Sequence, residues 1–203
     1  MPTIAVLDYG SGNLHSVSRA IARVGGDPLV TGDDAEVAAS DALVIPGVGH
    51  FGACMRAICH HGLDETIRTF CAGGRPVFGV CVGMQVLFAG SEEDTEAGLG
   101  VFDGTCRKLP DDVKVPHMGW DTVTWTVPHP YVAGIPDDTR FYFVHSYAPV
   151  VDDAITVGVN DYGRASSAAV ARGNVFATQF HPEKSGEVGL QVYEHFVKDV
   201  AAR

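Results

Sequence analysis

The sequence predicts an α/β fold: a three-layer arrangement with a mainly parallel central sheet flanked by helices, and added antiparallel strands in the C-terminal half. Three observations point to it. Short, continuously apolar runs alternate with segments of helical period through the first hundred residues, the signature of a parallel sheet covered on both faces. Beyond about residue 100 the helical period fades and short β-rich segments with turn signals take over. The chain has 203 residues, 46 % hydrophobic and 19 % charged, enough to bury one sizeable core without disulfide or metal staples.

Taken in order, Ile4 to Leu7 reads as the first strand, ending in Asp8-Tyr9-Gly10-Ser11-Gly12. Asn13 is placed as an N-cap, because Leu14, Val17, Ile21 and Val24 recur at helical spacing and Gly25-Gly26 closes the segment. Leu29-Val30 is a weak second strand, and Ala42 to Ile45 a clear third, stopped by Pro46-Gly47. Helical segments follow across 51–72, then a fourth strand, Val77 to Val80, runs into Cys81. Further strands are expected at Val101 to Arg107, Thr122 to Val127, Phe141 to Tyr147, Ala154 to Val159, Ser166 to Ala171 and Val175 to Phe180, with Gly173-Asn174 as a hairpin turn. The chain closes on a helix with Ser185 as N-cap and Val192, Tyr193, Phe196, Val197 and Val200 as its apolar stripe. No linker, charge run or repeat divides it, so a single domain over 1–203 is expected.

Lys and Arg number 14 against 25 Asp and Glu, a net charge of −11. Without a basic run, that balance argues against nucleic acid and anionic lipid as partners. No stretch of about 20 apolar residues is available to span a membrane. The N-terminal apolar run meets Asp8 too early, and lacks the basic lead, for a signal peptide. Five cysteines, an odd number thinly spread, read as reduced thiols, and the expected location is the cytoplasm. Cys59-His60-His61 has metal flavour, but adjacent residues rarely converge on one ion and no second cluster completes a set; no metal site and no cofactor is expected.

Gly10-Ser11-Gly12 follows a strand and opens a helix, yet the third glycine of a dinucleotide fingerprint would fall at His15, so a tight turn is the better reading. Gly79-Val80-Cys81-Val82-Gly83 is more informative, because its glycines allow a sharp strand-to-helix turn that raises residue 81 above the sheet edge. The amide of Val82 would point at the same place, half an oxyanion hole, and a helix start favours thiolate over thiol. A buried cysteine in a tight turn is the alternative. A thiol nucleophile needs a base. His181 is favoured because Glu183 would share its face if the strand through Phe180 stays extended, fixing the imidazole tautomer. His145 is the rival. Pro46-Gly47-Val48-Gly49, at the carboxyl end of the third strand, offers a further backbone amide, and Gln85 lies one helical turn beyond Cys81.

These blocks resemble the triad-type, class I glutamine amidotransferases: Pro46-Gly47-Val48-Gly49, Gly79-Val80-Cys81-Val82-Gly83-Met84-Gln85 and Gln179-Phe180-His181-Pro182-Glu183. More narrowly, Asp8-Tyr9-Gly10-Ser11-Gly12-Asn13-Leu14, Val115-Pro116-His117-Met118-Gly119-Trp120, Tyr142-Phe143-Val144-His145-Ser146-Tyr147 and Pro182-Glu183-Lys184-Ser185 resemble the glutaminase subunits of imidazole glycerol phosphate synthases. The resemblance covers the whole chain and implies hydrolysis of glutamine to glutamate and ammonia. It implies Cys81 as nucleophile, His181 as base and then acid, and Glu183 as orienter. Oxyanion donors would be the amides of Val82 and, after a peptide flip, Val48 or Gly49. Gln85, Glu93, Ser146 and Tyr147 would hold the substrate's α-amino and α-carboxylate groups. Asn13, Trp120, Tyr142 and Lys184 match positions facing a separate (β/α)8-barrel cyclase subunit, with which such proteins form a heterodimer that works in histidine biosynthesis. A free-standing γ-glutamyl amide hydrolase and a catalytically silent glutamine-binding subunit are the alternatives.

Overall fold

The computed structural model describes residues 1–203. The first half builds β1 (Thr3–Leu7), α1 (Leu14–Arg23), β2 (Asp27–Thr31), α2 (Asp34–Ala39), β3 (Ala42–Gly47), α3 (Phe51–His60), α4 (Leu63–Ala72), β4 (Val77–Cys81) and α5 (Val82–Gln85). The second half adds β5 (Phe88–Ser91), β6 (Phe102–Lys108), β7 (His117–Trp125), β8 (Thr139–His145), β9 (Tyr147–Pro149), β10 (Thr156–Asp161), β11 (Ala165–Arg172), β12 (Val175–Thr178) and α6 (Gly186–Ala202). A nine-stranded sheet runs β2-β1-β3-β4-β12-β11-β10-β7-β8, and β5-β6-β9 form a small second sheet. Pairings from β2 through β12 are parallel; those from β12 onward to β8 are antiparallel. The expected mixed α/β architecture is therefore present.

Right-handed crossovers place α1 on one face and the helices between β2 and β4 on the other. The packing agrees: α1 meets α6, while α2 and α3 meet α4. Being covered on both sides, β1, β3 and β4 read as unbroken apolar runs, and Ile4–Leu7, Ala42–Ile45 and Val77–Phe78 are fully buried. On the α6 face, Phe78 meets Phe176, Tyr193 and Phe196 at centroid distances of 5.3, 5.3 and 5.5 Å. Each such buried ring contributes about 2–3 kcal/mol by area.

Several boundaries differ from expectation. The strand expected to begin at Thr122 begins at His117, because Gly119, at φ 141°, interrupts the alternation that sequence reading relies on. Asp33 caps α2 through Ala35 and Glu36 N–H, a helix too short to leave a periodic trace. Asn13 and Ser185 do precede helices, but neither side chain caps one. The Ser185 hydroxyl instead donates to His181 O at 2.6 Å and accepts from Tyr142 N at 3.0 Å, tying α6 to β8. All five cysteines are free, and no helix is long and apolar enough to cross a membrane.

Candidate functional site

The carboxyl ends of β3 and β4 meet where the chain turns most tightly. Cys81, last in β4, sits at φ 56° and ψ −113°, a conformation that non-glycine residues rarely adopt. Gly47 and Gly83 allow it: a Cβ on Gly47 would crowd the backbone of Val82 and Gly83, and one on Gly83 would overlap Ile45 O. The following helix is only four residues long, so it aims the Val82 N–H, first in its turn, but adds little macrodipole. This tempers the expectation of a thiolate favoured by the helix alone. The Gly10–Gly12 turn packs beside this edge, with Ser11 Oγ donating to Val48 O at 3.1 Å and Tyr9 Oη to Pro46 O at 2.7 Å.

A cleft of about 560 Å³ opens there. Its lining includes Asn13, Val48, Gly49, Cys81, Val82, Gln85, Glu93, Ser146, Tyr147, His181 and Lys184. His181 reaches it from beyond β12. The expected extended path to Glu183 is absent: β12 stops at Thr178, and Pro182–Lys184 form a 3-10 turn begun by the proline, whose fixed φ suits a first helical position. Glu183 still accepts from His181 Nδ1, at 2.8 Å, with both side chains 1 % exposed. His181 Nε2 has no hydrogen-bond partner and faces the thiol side of the cleft, the nitrogen left for proton transfer. Burial by itself depresses His181, but negative charge on nearby Cys81, with the hydrogen bond and charge of Glu183 behind, outweighs it and raises its pKa to about 10. An ionised sulfur at Cys81 therefore favours the imidazolium form of the ring, which the carboxylate orients.

Gln85 is 3 % exposed, and its Nε2 donates to Tyr147 O at 2.8 Å and Gln179 Oε1 at 3.0 Å. Glu93 lines the cleft while its Oε2 accepts from Phe51 N at 2.7 Å, the first amide of α3. The Val48 carbonyl is held by Ser11 Oγ and by Cys54 Sγ at 3.5 Å, so a flip of the Val48–Gly49 peptide breaks both hydrogen bonds; Gly49, at φ 87°, is the hinge that permits it. Trp120 and Tyr142 are cross-strand partners 6.3 Å apart, and the Lys184 ammonium lies 5.9 Å from the Tyr142 ring. Trp120 is 53 % exposed and, with Asn13 and Lys184 at the cleft, these four residues leave a partly aromatic surface near its mouth. Cys59, His60 and His61 end α3 at the surface, and no group of three or more His, Cys, Asp or Glu side chains is placed to hold a metal ion.

Sequence reasoning missed Gln179, whose Nε2 lies 3.7 Å from Cys81 Sγ. Its place beside His181 in the Gln179-Phe180-His181-Pro182-Glu183 block was the available signal. His145 was weighed only as a rival base. Its Nδ1 meets Tyr147 O at 3.0 Å, and burial, with His117 and His181 nearby, pushes its pKa down to about 3. An unfolded histidine binds a proton below about 6.5, whereas folded His145 does not until about 3. Stability from this site is thus lost as pH falls from 6.5, with a slope of at most about 1.4 kcal/mol per pH unit. Urea midpoints between pH 7 and 4.5 are expected to fall less steeply in His145→Asn than in the parent, and equal slopes would contradict this.

Residues 5–200 match the family described as Glutamine amidotransferase class-I. The chain is 47 % identical over 206 residues to the imidazole glycerol phosphate synthase subunit HisH of Chromobacterium violaceum, covering 96 % of each. It is 46 % identical to the protein of that name from Aromatoleum aromaticum (97 % and 98 % covered) and 43 % identical to that of Bacillus cereus (95 % and 93 %). Among solved structures, PurLQS from Thermotoga maritima aligns at TM-score 0.77 and 19 % identity over 98 % of both chains, a likeness of fold.

Proposed function

Because this chain belongs to the class-I glutamine amidotransferases, we propose that it is a glutaminase, and that residues 1–203 form one such domain serving as the ammonia-supplying subunit of an imidazole glycerol phosphate synthase. The observation that carries the reading is a strained Cys81 on its turn beside a buried His181–Glu183 pair, at one wall of a single cleft.

Cys81 Sγ, its proton passed to His181 Nε2, attacks the side-chain carbonyl carbon of glutamine, forming a C–S bond and a tetrahedral oxyanion. Val82 N–H stabilises that oxygen, joined by the Val48 or Gly49 amide once the peptide turns. His181, already protonated, gives its Nε2 proton to the departing nitrogen, so the C–N bond breaks and ammonia leaves with a thioester behind. Neutral His181 then takes a proton from water as the water adds to the thioester carbon; glutamate departs and Cys81 and His181 regain their starting states. Glu183 holds the imidazolium throughout. Gln85, Glu93, Ser146 and Tyr147 bind the α-amino and α-carboxylate ends, Glu93 offering charge to the ammonium.

Ammonia is then consumed by a separate cyclase chain, a reading supported by the likeness to relatives named as one subunit of imidazole glycerol phosphate synthase. Asn13, Trp120, Tyr142 and Lys184 form the docking surface, with Lys184 supplying positive charge on a chain of net charge −11. Coupling follows from the Val48 carbonyl: the competent peptide orientation is a minor state until partner and acceptor substrate favour it. Glutamate release by the isolated chain is expected to be slow, and to rise at least about tenfold with the cyclase and its acceptor ligand. Equal rates without partner would favour a free-standing γ-glutamyl amide hydrolase, and no turnover in either state would indicate a silent glutamine-binding subunit.

A further inference from the structure

The sulfur of Cys81 lies against a buried amide that the glutaminase chemistry leaves without a task. Gln179 is 1 % exposed, and its backbone is fixed just past β12, where its N–H donates to Ala168 O at 2.8 Å. Its side chain belongs to a hydrogen-bonded row. Gln85 Nε2 donates to Tyr147 O at 2.8 Å and to Gln179 Oε1 at 3.0 Å, and Gln179 Nε2 donates to Cys81 Sγ at 3.7 Å. A carbonyl only accepts, so Tyr147 O fixes the polarity of the whole row. Turning the Gln85 amide over would set two oxygens face to face, and turning that of Gln179 would set two NH2 groups face to face. The end that reaches the sulfur is therefore a donor.

A thiol gains little from that donor. Its own proton is directed at Val144 O, 3.8 Å away, and neutral sulfur is a weak acceptor. An ionised sulfur has no proton to offer Val144 O and takes a charge-assisted hydrogen bond from Gln179 instead. Burial sharpens the difference, because Cys81 is 2 % exposed and water supplies few other donors.

We infer that Gln179 is a further catalytic residue, whose buried amide, held by Gln85 and the Tyr147 carbonyl, stabilises the ionised sulfur of Cys81. Its place in turnover rests on the glutaminase reading; its contact with the sulfur does not.

The donor serves twice. It favours the anion before attack, and again when the thioester is hydrolysed, the C–S bond breaks and its electron pair returns to sulfur. A donor also lowers the nucleophilicity of the sulfur, but by less than it raises the ionised fraction, since the Brønsted slope is about 0.4–0.5. The titratable groups whose charge reaches Cys81 are His181 beyond β12, Tyr9 after β1 and Cys54 on α3. Burial pushes the Tyr9 hydroxyl and the Cys54 thiol up, so both stay neutral near pH 7. His181 takes the proton that the sulfur gives up, with Glu183 behind it.

Alkylation of the full chain by iodoacetamide, followed at the Cys81 peptide by mass spectrometry, reads the ionised sulfur without turnover. Gln179→Met removes the donor and keeps the length. The ionised fraction near pH 7 is expected to fall about tenfold, the scale of one hydrogen bond to a charged group. Alkylation then slows only about threefold, because the remaining anion is more nucleophilic. Near pH 10, above the ordinary thiol range, the variant is expected to match or overtake the parent. Loosened packing moves the rate the same way at every pH. Equal rates near pH 7, or an equal slowing at both, overturn the inference.

A second measurement needs no change at Gln179. Its side-chain amide protons are expected to move downfield as the sulfur of the parent ionises, and to hold still in Cys81→Ala; the same behaviour in both overturns the inference. In the complex with cyclase, Gln179→Met is expected to lower kcat about threefold or more, with KM for glutamine within about twofold. A raised KM at unchanged kcat assigns Gln179 to substrate binding and overturns its catalytic role. A parent that alkylates as expected yet releases no glutamate with cyclase removes the glutaminase reading alone.

Discussion

Replacing Cys81 by alanine lowers glutamine hydrolysis at least ~1000-fold, while ammonium salts still support synthesis in the complex with cyclase. The change removes only the sulfur that forms the thioester. Alanine tolerates φ 56° about as well as cysteine. The thiol's own hydrogen bonds, with Val144 O at 3.8 Å and Gln179 Nε2 at 3.7 Å, are long and weak, so the fold is expected to persist without them. Because His181 owes its raised pKa chiefly to the neighbouring Cys81, the same variant lowers the histidine's pKa, an independent readout by NMR titration. Glutamate release measured beside ammonium-dependent product formation separates lost chemistry from lost assembly. A variant that keeps its glutaminase rate removes Cys81 from the mechanism.

Gly83→Ala destabilises the protein by about 3 kcal/mol, or roughly 10 °C in Tm. The added methyl overlaps Ile45 O and crowds Pro46, which are backbone atoms of a central buried strand and cannot rotate away. Relief requires β3 and α5 to separate, and these two elements bring the Val48–Gly49 peptide and the Val82 amide to the same cleft. Glutaminase activity therefore falls even below the melting temperature. Gly90→Ala serves as the control, since nothing lies within 4 Å of its added Cβ and its φ is unexceptional. Thermal melts that place the two variants together would contradict this account.

The parallel half of the fold was legible because strands buried on both faces must be apolar throughout, as Ala42–Ile45 and Val77–Phe78 are. The antiparallel half was less so. β7 is half exposed and carries Gly119 at positive φ, so its first residues, including His117, look like loop. Losing that start also hid the register that pairs His117 with His145 and Trp120 with Tyr142. The extended path proposed from His181 to Glu183 was mistaken, since Pro182 opens a 3-10 turn, yet the turn still brings the carboxylate to Nδ1.

What the sequence determined by itself is what depends on neighbours along the chain: the strand–helix alternation, the glycine-flanked Cys81 turn and the His181-Pro182-Glu183 block. The −11 charge and the thinly spread cysteines likewise needed no coordinates to argue against nucleic acid and disulfide staples. Only the tertiary structure decided which distant side chains hydrogen-bond to one another. Gln85 with Gln179 and His117 with His145 are separated by 94 and 28 residues, and hydrogen bonds of about 3 Å between them arise from sheet order and register. Directional bonds at that range depend on where whole strands come to lie, and local periodicity carries no record of it.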